Sequence, residues 1–167
     1  MKKYELTEET VTVYGKTLYR IRAVRDFGSV KTGEFGGYIE KEENLSHFDN
    51  AWVCGDAWVF GNARVYDDAW VFGNARVYDD AWVSGNAEVF NTRHFFVQGP
   101  IGSRNGFITF YRTKDNTVEV RCGCFSGSLQ KFVDRVEETH GGSRYEKEYK
   151  LAAELAKVCI RLEGESR

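Results

Sequence analysis

Proline and methionine each occur once in 167 residues, and histidine only three times. A single proline excludes a polyproline segment or a stiff linker. His47, His94 and His140 stand far apart, so the chain offers no helix-borne zinc motif and no Ser/His/Asp ordering. Four cysteines, Cys54, Cys122, Cys124 and Cys159, lack the paired spacing of a zinc site, and reduced thiols are the expectation. No metal and no cofactor is implied. Apolar runs long enough to span a bilayer are missing, and Met-Lys-Lys leads into a polar strand instead of a signal-peptide core, so a cytoplasmic protein without a membrane partner is expected. A net charge of only −2 gives no global drive toward double-stranded DNA or a membrane surface.

What the chain has in abundance is a six-residue period. From Ala51 it reads AWVCGD, AWVFGN, ARVYDD, AWVFGN, ARVYDD, AWVSGN and AEVFN, seven units without an insertion. Within each unit Ala and Val stand two positions apart, which puts them on one face of a strand. A turn pair, GD, GN or DD, closes every unit, and its second member is expected to take the left-handed backbone angles that Asn and Asp tolerate. The pattern resembles the hexapeptide repeat of left-handed parallel β-helices, whose handedness and triangular section come with the resemblance. Three hexads per coil would stack positions eighteen apart. One outward face then carries Trp52, Trp70, Cys54, Phe72, Glu88 and Phe90; the second sets Trp58 over Arg76 and Phe60 over Tyr78; the third sets Arg64 over Trp82 and Tyr66 over Ser84. Such an aromatic exterior calls for cover, from flanking segments or from another subunit. Trp52, Trp58, Trp70, Phe72, Arg76 and Trp82 are therefore the candidate oligomer or recognition surface, with Trp–Arg contacts each worth about 0.5–2 kcal/mol.

The flanks read differently. Residues 4–13 and 17–24 form a hairpin across Tyr14-Gly15-Lys16, and Ile39 and Leu45 count back into the alanine phase of the hexads. Beyond the repeat, 93–98, 107–113 and 117–124 read as three antiparallel strands. Ser126-Gly127-Ser128 opens a helix that stops near Gly141-Gly142, and a second helix covers about 145–161. The expected fold is mainly β: a hairpin and loop over 1–35, a short left-handed parallel β-helix over 36–91, and an α+β module over 92–167 with a three-stranded antiparallel sheet and two helices.

Chemistry is sought first in Gly99-Pro100-Ile101-Gly102-Ser103-Arg104-Asn105-Gly106. Glycines let successive N–H groups converge on an anion, Ser103 brings a hydroxyl and Arg104 a guanidinium suited to phosphate. A strand instead of a helix follows, so the loop is no nucleotide-hydrolase motif. The plain alternative is a glycine-rich connection. With Arg112 and Arg121 in the same sheet, Gly102, Ser103, Arg104, Asn105, Arg112 and Arg121 form the candidate ligand-binding set. Cys122 and Cys124 read as a thiol pair at the sheet–helix contact. No catalytic residue is assigned.

The segments RIRAVRDFGSVKTGEFGGYIEKEENLS, AWVFGNARVYDD, GPIGSRNGFITFYR and VRCGCFSGSLQKFVDRVEETHG together resemble a group of small phage and prophage proteins, over nearly the whole chain. The resemblance implies a phage accessory protein in the host cytoplasm, and left-handed β-helices as a class imply a homo-oligomer, with a trimer favoured. Accessory proteins of this size often act against host defence. Three functions follow: a non-enzymatic binder of an anionic nucleotide-like ligand, which is preferred; a protein-binding inhibitor of a host defence factor; and a hexapeptide-type acyltransferase, disfavoured because no histidine falls within the hexads.

Overall fold

The computed structural model describes residues 1–164 and divides into two compact units, Met1–Thr92 and Arg93–Arg167. In the first unit, β1 (Tyr4–Val13) and β2 (Lys16–Ala23) form the hairpin, and β3 (Phe35–Ile39) follows. Each hexad then supplies one two-residue strand: β4 (Trp52–Val53), β5 (Trp58–Val59), β6 (Arg64–Val65), β7 (Trp70–Val71), β8 (Arg76–Val77), β9 (Trp82–Val83) and β10 (Glu88–Val89). These strands are short because the turn takes the rest of every unit. Every hexad Ala and Val is buried, so the inward pair supplies the core of this unit.

Parallel pairing joins strands eighteen residues apart, Trp52 with Trp70, Trp58 with Arg76, Arg64 with Trp82, and Trp70 with Glu88. The ladders remain in three separate sheets, ordered β1-β2-β3-β5-β8, β4-β7-β10 and β6-β9. Pairing of Tyr38 with Trp58 and Ile39 with Val59 offsets β3 by twenty residues, not eighteen. Ile39 and Leu45 thus stand beside valines, not in the alanine phase: both are offset by twenty, so the two extra residues fall between Leu45 and Ala51, in the stretch that holds the left-handed Asp49. The turns also differ from expectation. Positive φ falls on the first member of each pair, at Gly55, Gly61, Asp67, Gly73, Asp79 and Gly85. Glycine occupies four of those six corners, where a Cβ is costly.

The second unit packs β11 (Phe95–Ile101), β12 (Gly106–Arg112), β13 (Val118–Cys122) and β14 (Phe125–Ser128) into one antiparallel sheet in that order. Helices α1 (Leu129–His140) and α2 (Arg144–Cys159) pack on it, burying Ile108, Phe110 and Val120 against Phe132, Val136 and Ala156. Ser128 caps α1 by accepting from the Lys131 N–H at 3.2 Å, and Ser143 caps α2 through the Glu146 N–H.

The expected short left-handed parallel β-helix with a three-stranded module is thereby corrected: the fold is mainly β with four separate small sheets and two helices. Two features account for the difference. The N-terminal hairpin does not stand apart; it extends a mixed five-stranded sheet through antiparallel β2–β3 and parallel β3–β5 pairing. In the second unit, Gly123-Cys124 turns the chain so that Phe125–Ser128 pairs back onto β13 as a fourth strand before the helix begins. No helix among the described residues is long and apolar enough to cross a membrane.

Candidate functional site

The glycine-rich loop contracts to a tight turn, since β11 runs through Ile101 and β12 starts at Gly106. Gly102 has φ +76°, and its N–H donates to Glu148 Oε2 at 2.8 Å. A Cβ on Gly102 would meet the Tyr149 hydroxyl at 1.8 Å, so α2 is seated directly on the turn. Tyr149 also hydrogen-bonds Cys122, whose thiol burial pushes up in pKa. The backbone donor expected to receive an anion is already served by a carboxylate of this chain. Ser103, Arg104 and Asn105 are exposed around it.

Neither Arg112 nor Arg121 joins that turn. Arg112 lies six positions along β12 from Gly106, about 20 Å at the usual strand rise. Its buried guanidinium instead holds Asn116 Oδ1 at 3.3 Å and Glu163 Oε1 at 3.0 Å, fastening the chain beyond α2 to the far hairpin. Arg121 pairs with Thr109 and Val120 with Phe110, so Arg121 points to the face opposite Phe110 and Arg112. The structure therefore leaves the six-residue ligand set dispersed: a turn at one end of the sheet, one arginine at the other end, and one on the reverse face.

The aromatic set also divides. Trp52 is 1% exposed, enclosed by Phe27 at 5.2 Å and Tyr4 at 6.4 Å between ring centroids, so the N-terminal segment covers it. Beside it Lys3 is fully buried and donates through Nζ to Ala51 O at 2.6 Å and Phe48 O at 3.3 Å. Burial, reinforced by Arg25, pushes the Lys3 pKa down to about 8. His47 stacks on Tyr4 at 4.1 Å and accepts the Lys3 N–H, a structural role. Trp70 lies between Trp52 and Glu88, and Phe72 packs on Phe90 at 5.2 Å; both are half-buried.

Trp58, Arg76 and Trp82 remain outward, and at Trp58 the structure assembles a row. Register across four neighbouring strands aligns Arg20 with Tyr38, Tyr38 with Trp58, and Trp58 with Arg76. Glu9 closes one end, accepting two hydrogen bonds from Arg20 at 3.0 and 3.1 Å and one from the Tyr38 hydroxyl at 2.9 Å. Those bonds, Tyr38 first, hold the Glu9 carboxyl below its usual pKa. Arg20 also lies 4.9 Å over Phe35, and Arg22 pairs with Glu5. At the other end Arg76 lies 4.2 Å over the Trp58 ring. Arg64 lies 5.7 Å over Trp82 in the neighbouring two-stranded sheet.

These two ends differ in chemistry. Arg20 is neutralised by Glu9, whereas neither Arg64 nor Arg76 has an acidic partner among the described residues. A guanidinium stacked on an indole uses its face for the ring and leaves its in-plane N–H edges free for an anion. Tyr38, Arg20, Glu9 and Phe35 were absent from the sequence-derived set, because counting back by eighteen from Trp58 lands on Glu40. The signal available was Tyr38-Ile39 itself, an outward aromatic before an inward aliphatic, as in each Trp-Val pair. Among the described residues no group of three or more His, Cys, Asp or Glu could hold a metal ion. No family model and no curated protein matches the chain.

Proposed function

We propose that the protein is a non-enzymatic binding protein that takes a planar, anionic, nucleotide-like ligand on the outer face of its five-stranded sheet. Support comes chiefly from one observation: the Arg76 guanidinium rests on Trp58 at 4.2 Å and forms no ion pair with a carboxylate among the described residues. Its edge donors are suited to a phosphate, while Trp58 and Tyr38 offer rings for a base. The Arg20–Glu9 pair at the far end supplies an acceptor and a donor for polar edges of the same ligand. The setting that goes with this reading is an oligomeric phage accessory protein in the host cytoplasm that withdraws a defence signal.

Titration with cyclic nucleotides and ADP-ribose derivatives, followed by tryptophan fluorescence and calorimetry, tests the reading. A ligand of the class should lose at least tenfold in affinity on Arg76→Ala, with Arg104→Ala unchanged. Silence across the whole panel sinks the proposal, and so does a ligand whose affinity ignores Arg76.

A further inference from the structure

The chain entering β1 is fastened to the segment ahead of β4 at one imidazole. His47 Nδ1 accepts the Lys3 N–H at 3.1 Å, and the ring stacks on Tyr4 with centroids 4.1 Å apart. A backbone N–H can only donate, so Nδ1 carries no proton and the ring hydrogen belongs to Nε2. That Nε2 is buried without a hydrogen-bond partner and lies 3.6 Å from Glu42 Oε2. The Tyr4 hydroxyl donates to Leu45 O at 2.7 Å and Lys3 Nζ to Ala51 O at 2.6 Å. Lys3, Tyr4 and His47 thus hold the cover over Trp52, which is 1% exposed.

A second proton on this ring can go only to Nδ1, where it would meet the Lys3 N–H donor to donor and turn a hydrogen bond into a repulsion. The surrounding charge opposes it too. Lys2 and Lys3 face the ring from the entry to β1, and Arg25, beyond β2, donates through Nη2 to His47 O at 3.3 Å. Glu42 faces the ring as counter-charge but is already held by Lys2 Nζ at 2.6 Å, while Asp49 acts on Lys3 and Glu43 on Tyr4. Burial, against the opposing pull of Glu42, keeps the His47 pKa below its ordinary 6.5. Lys3 titrates at about 8, Tyr4 is pushed up and Glu42 is held down, so His47 is the member of this cluster that changes charge between pH 7 and 5.5.

We infer that His47 is an acid-sensitive latch: its neutral ring fastens residues 1–4 over Trp52, and its protonation frees that segment and bares Trp52 on the β4-β7-β10 sheet. The latch uses no residue of the ligand row. A freed ring titrates at its ordinary value, so opening takes up a proton and grows as pH falls through 6.5. For one proton, the ratio of open to latched chains should rise roughly three- to eightfold between pH 7 and 5.5.

Amide hydrogen exchange at Lys3 in the full chain, followed by nuclear magnetic resonance and divided by the intrinsic rate at each pH, reads that ratio. The expected result is an acceleration of that size at Lys3, with the hexad valine amides unchanged. Acrylamide quenching of tryptophan fluorescence should increase over the same interval, and Trp52→Phe should remove the increase. His47→Asn keeps an acceptor oxygen but no titrating ring, and should hold the corrected Lys3 exchange flat. Where that variant fails to fold, the nitrogen-15 spectrum of the wild-type imidazole decides, because protonation of Nδ1 must share its midpoint with the Lys3 exchange. Four results overturn the inference: a corrected Lys3 rate that ignores pH, an acceleration that persists in folded His47→Asn, equal acceleration of the hexad valines, or an imidazole midpoint different from that of the exchange.

Discussion

Replacing Lys3 by methionine should abolish one component of the pH dependence of stability. The amine is fully buried, bonded to the carbonyls of Ala51 and Phe48, and titrates at about 8 against an ordinary 10.5. Below pH 8 the native state carries the buried charge and bears its whole desolvation cost. Between pH 8 and 10.5 the native state releases the proton ahead of the unfolded chain, so the unfolded state binds more protons and unfolding free energy rises with pH. The interval corresponds to about 3 kcal/mol. All four tryptophans lie in the first unit, so urea unfolding followed by tryptophan fluorescence reports that unit. The difference in unfolding free energy, wild type minus Lys3→Met, should climb by about 3 kcal/mol from pH 7.5 to 10.5. Tyr4, whose own titration burial and then Glu42 push up, is common to both proteins and cancels in the difference. A difference that stays flat over that range refutes the reasoning.

Gly102→Ala combines a left-handed backbone with a Cβ 1.8 Å from the Tyr149 hydroxyl, and should destabilise the second unit by about 2–5 kcal/mol. Both α-helices belong to that unit, so melting followed at 222 nm measures it. Burial and then Arg112 depress the His94 pKa to about 4 from 6.5, so the native state holds this imidazole neutral. Stability from this group is full above pH 6.5 and declines as pH falls toward 4, by up to about 3 kcal/mol. His94→Gln should therefore flatten the acid side of a plot of urea midpoint against pH, and an unchanged acid slope would count against it.

The hexads were legible because inside and outside are written in every unit: Ala51 and Val53 through Ala87 and Val89 are buried to the last pair. The joining of the β5–β8 ladder to the N-terminal hairpin in one five-stranded sheet was not, since it depends on β3 pairing with β2 on one edge and β5 on the other, contacts that no period announces. Strand β14 escaped notice because Phe-Ser-Gly-Ser has little strand propensity and its last residue is a helix cap, as the sequence suggested. The dispersal of the ligand set has two causes. Opposite orientation of Arg112 and Arg121 follows from the register of β12 on β13, which the Lys114-Asp115-Asn116 turn alone does not settle. The occupation of Gly102 comes from Glu148, forty-six positions away, and only tertiary structure brings them together. Trp58 and Arg76 were found because they are eighteen residues apart, whereas Tyr38 lies outside that count.

Pairing at a fixed and modest separation has a consequence for how the chain leaves the ribosome. Each two-residue strand from β4 to β7 meets its next partner eighteen residues later, roughly 1–4 s of synthesis at ordinary elongation rates. The first unit can therefore be laid down in the order in which it is translated, each new hexad finding its template already formed. Lys3 reaches its carbonyl acceptors once Ala51 has emerged, and the last parallel pair closes at Val89. The nascent chain can complete the sheet that carries Trp58 and Arg76 while the codons for α1 and α2 are still unread.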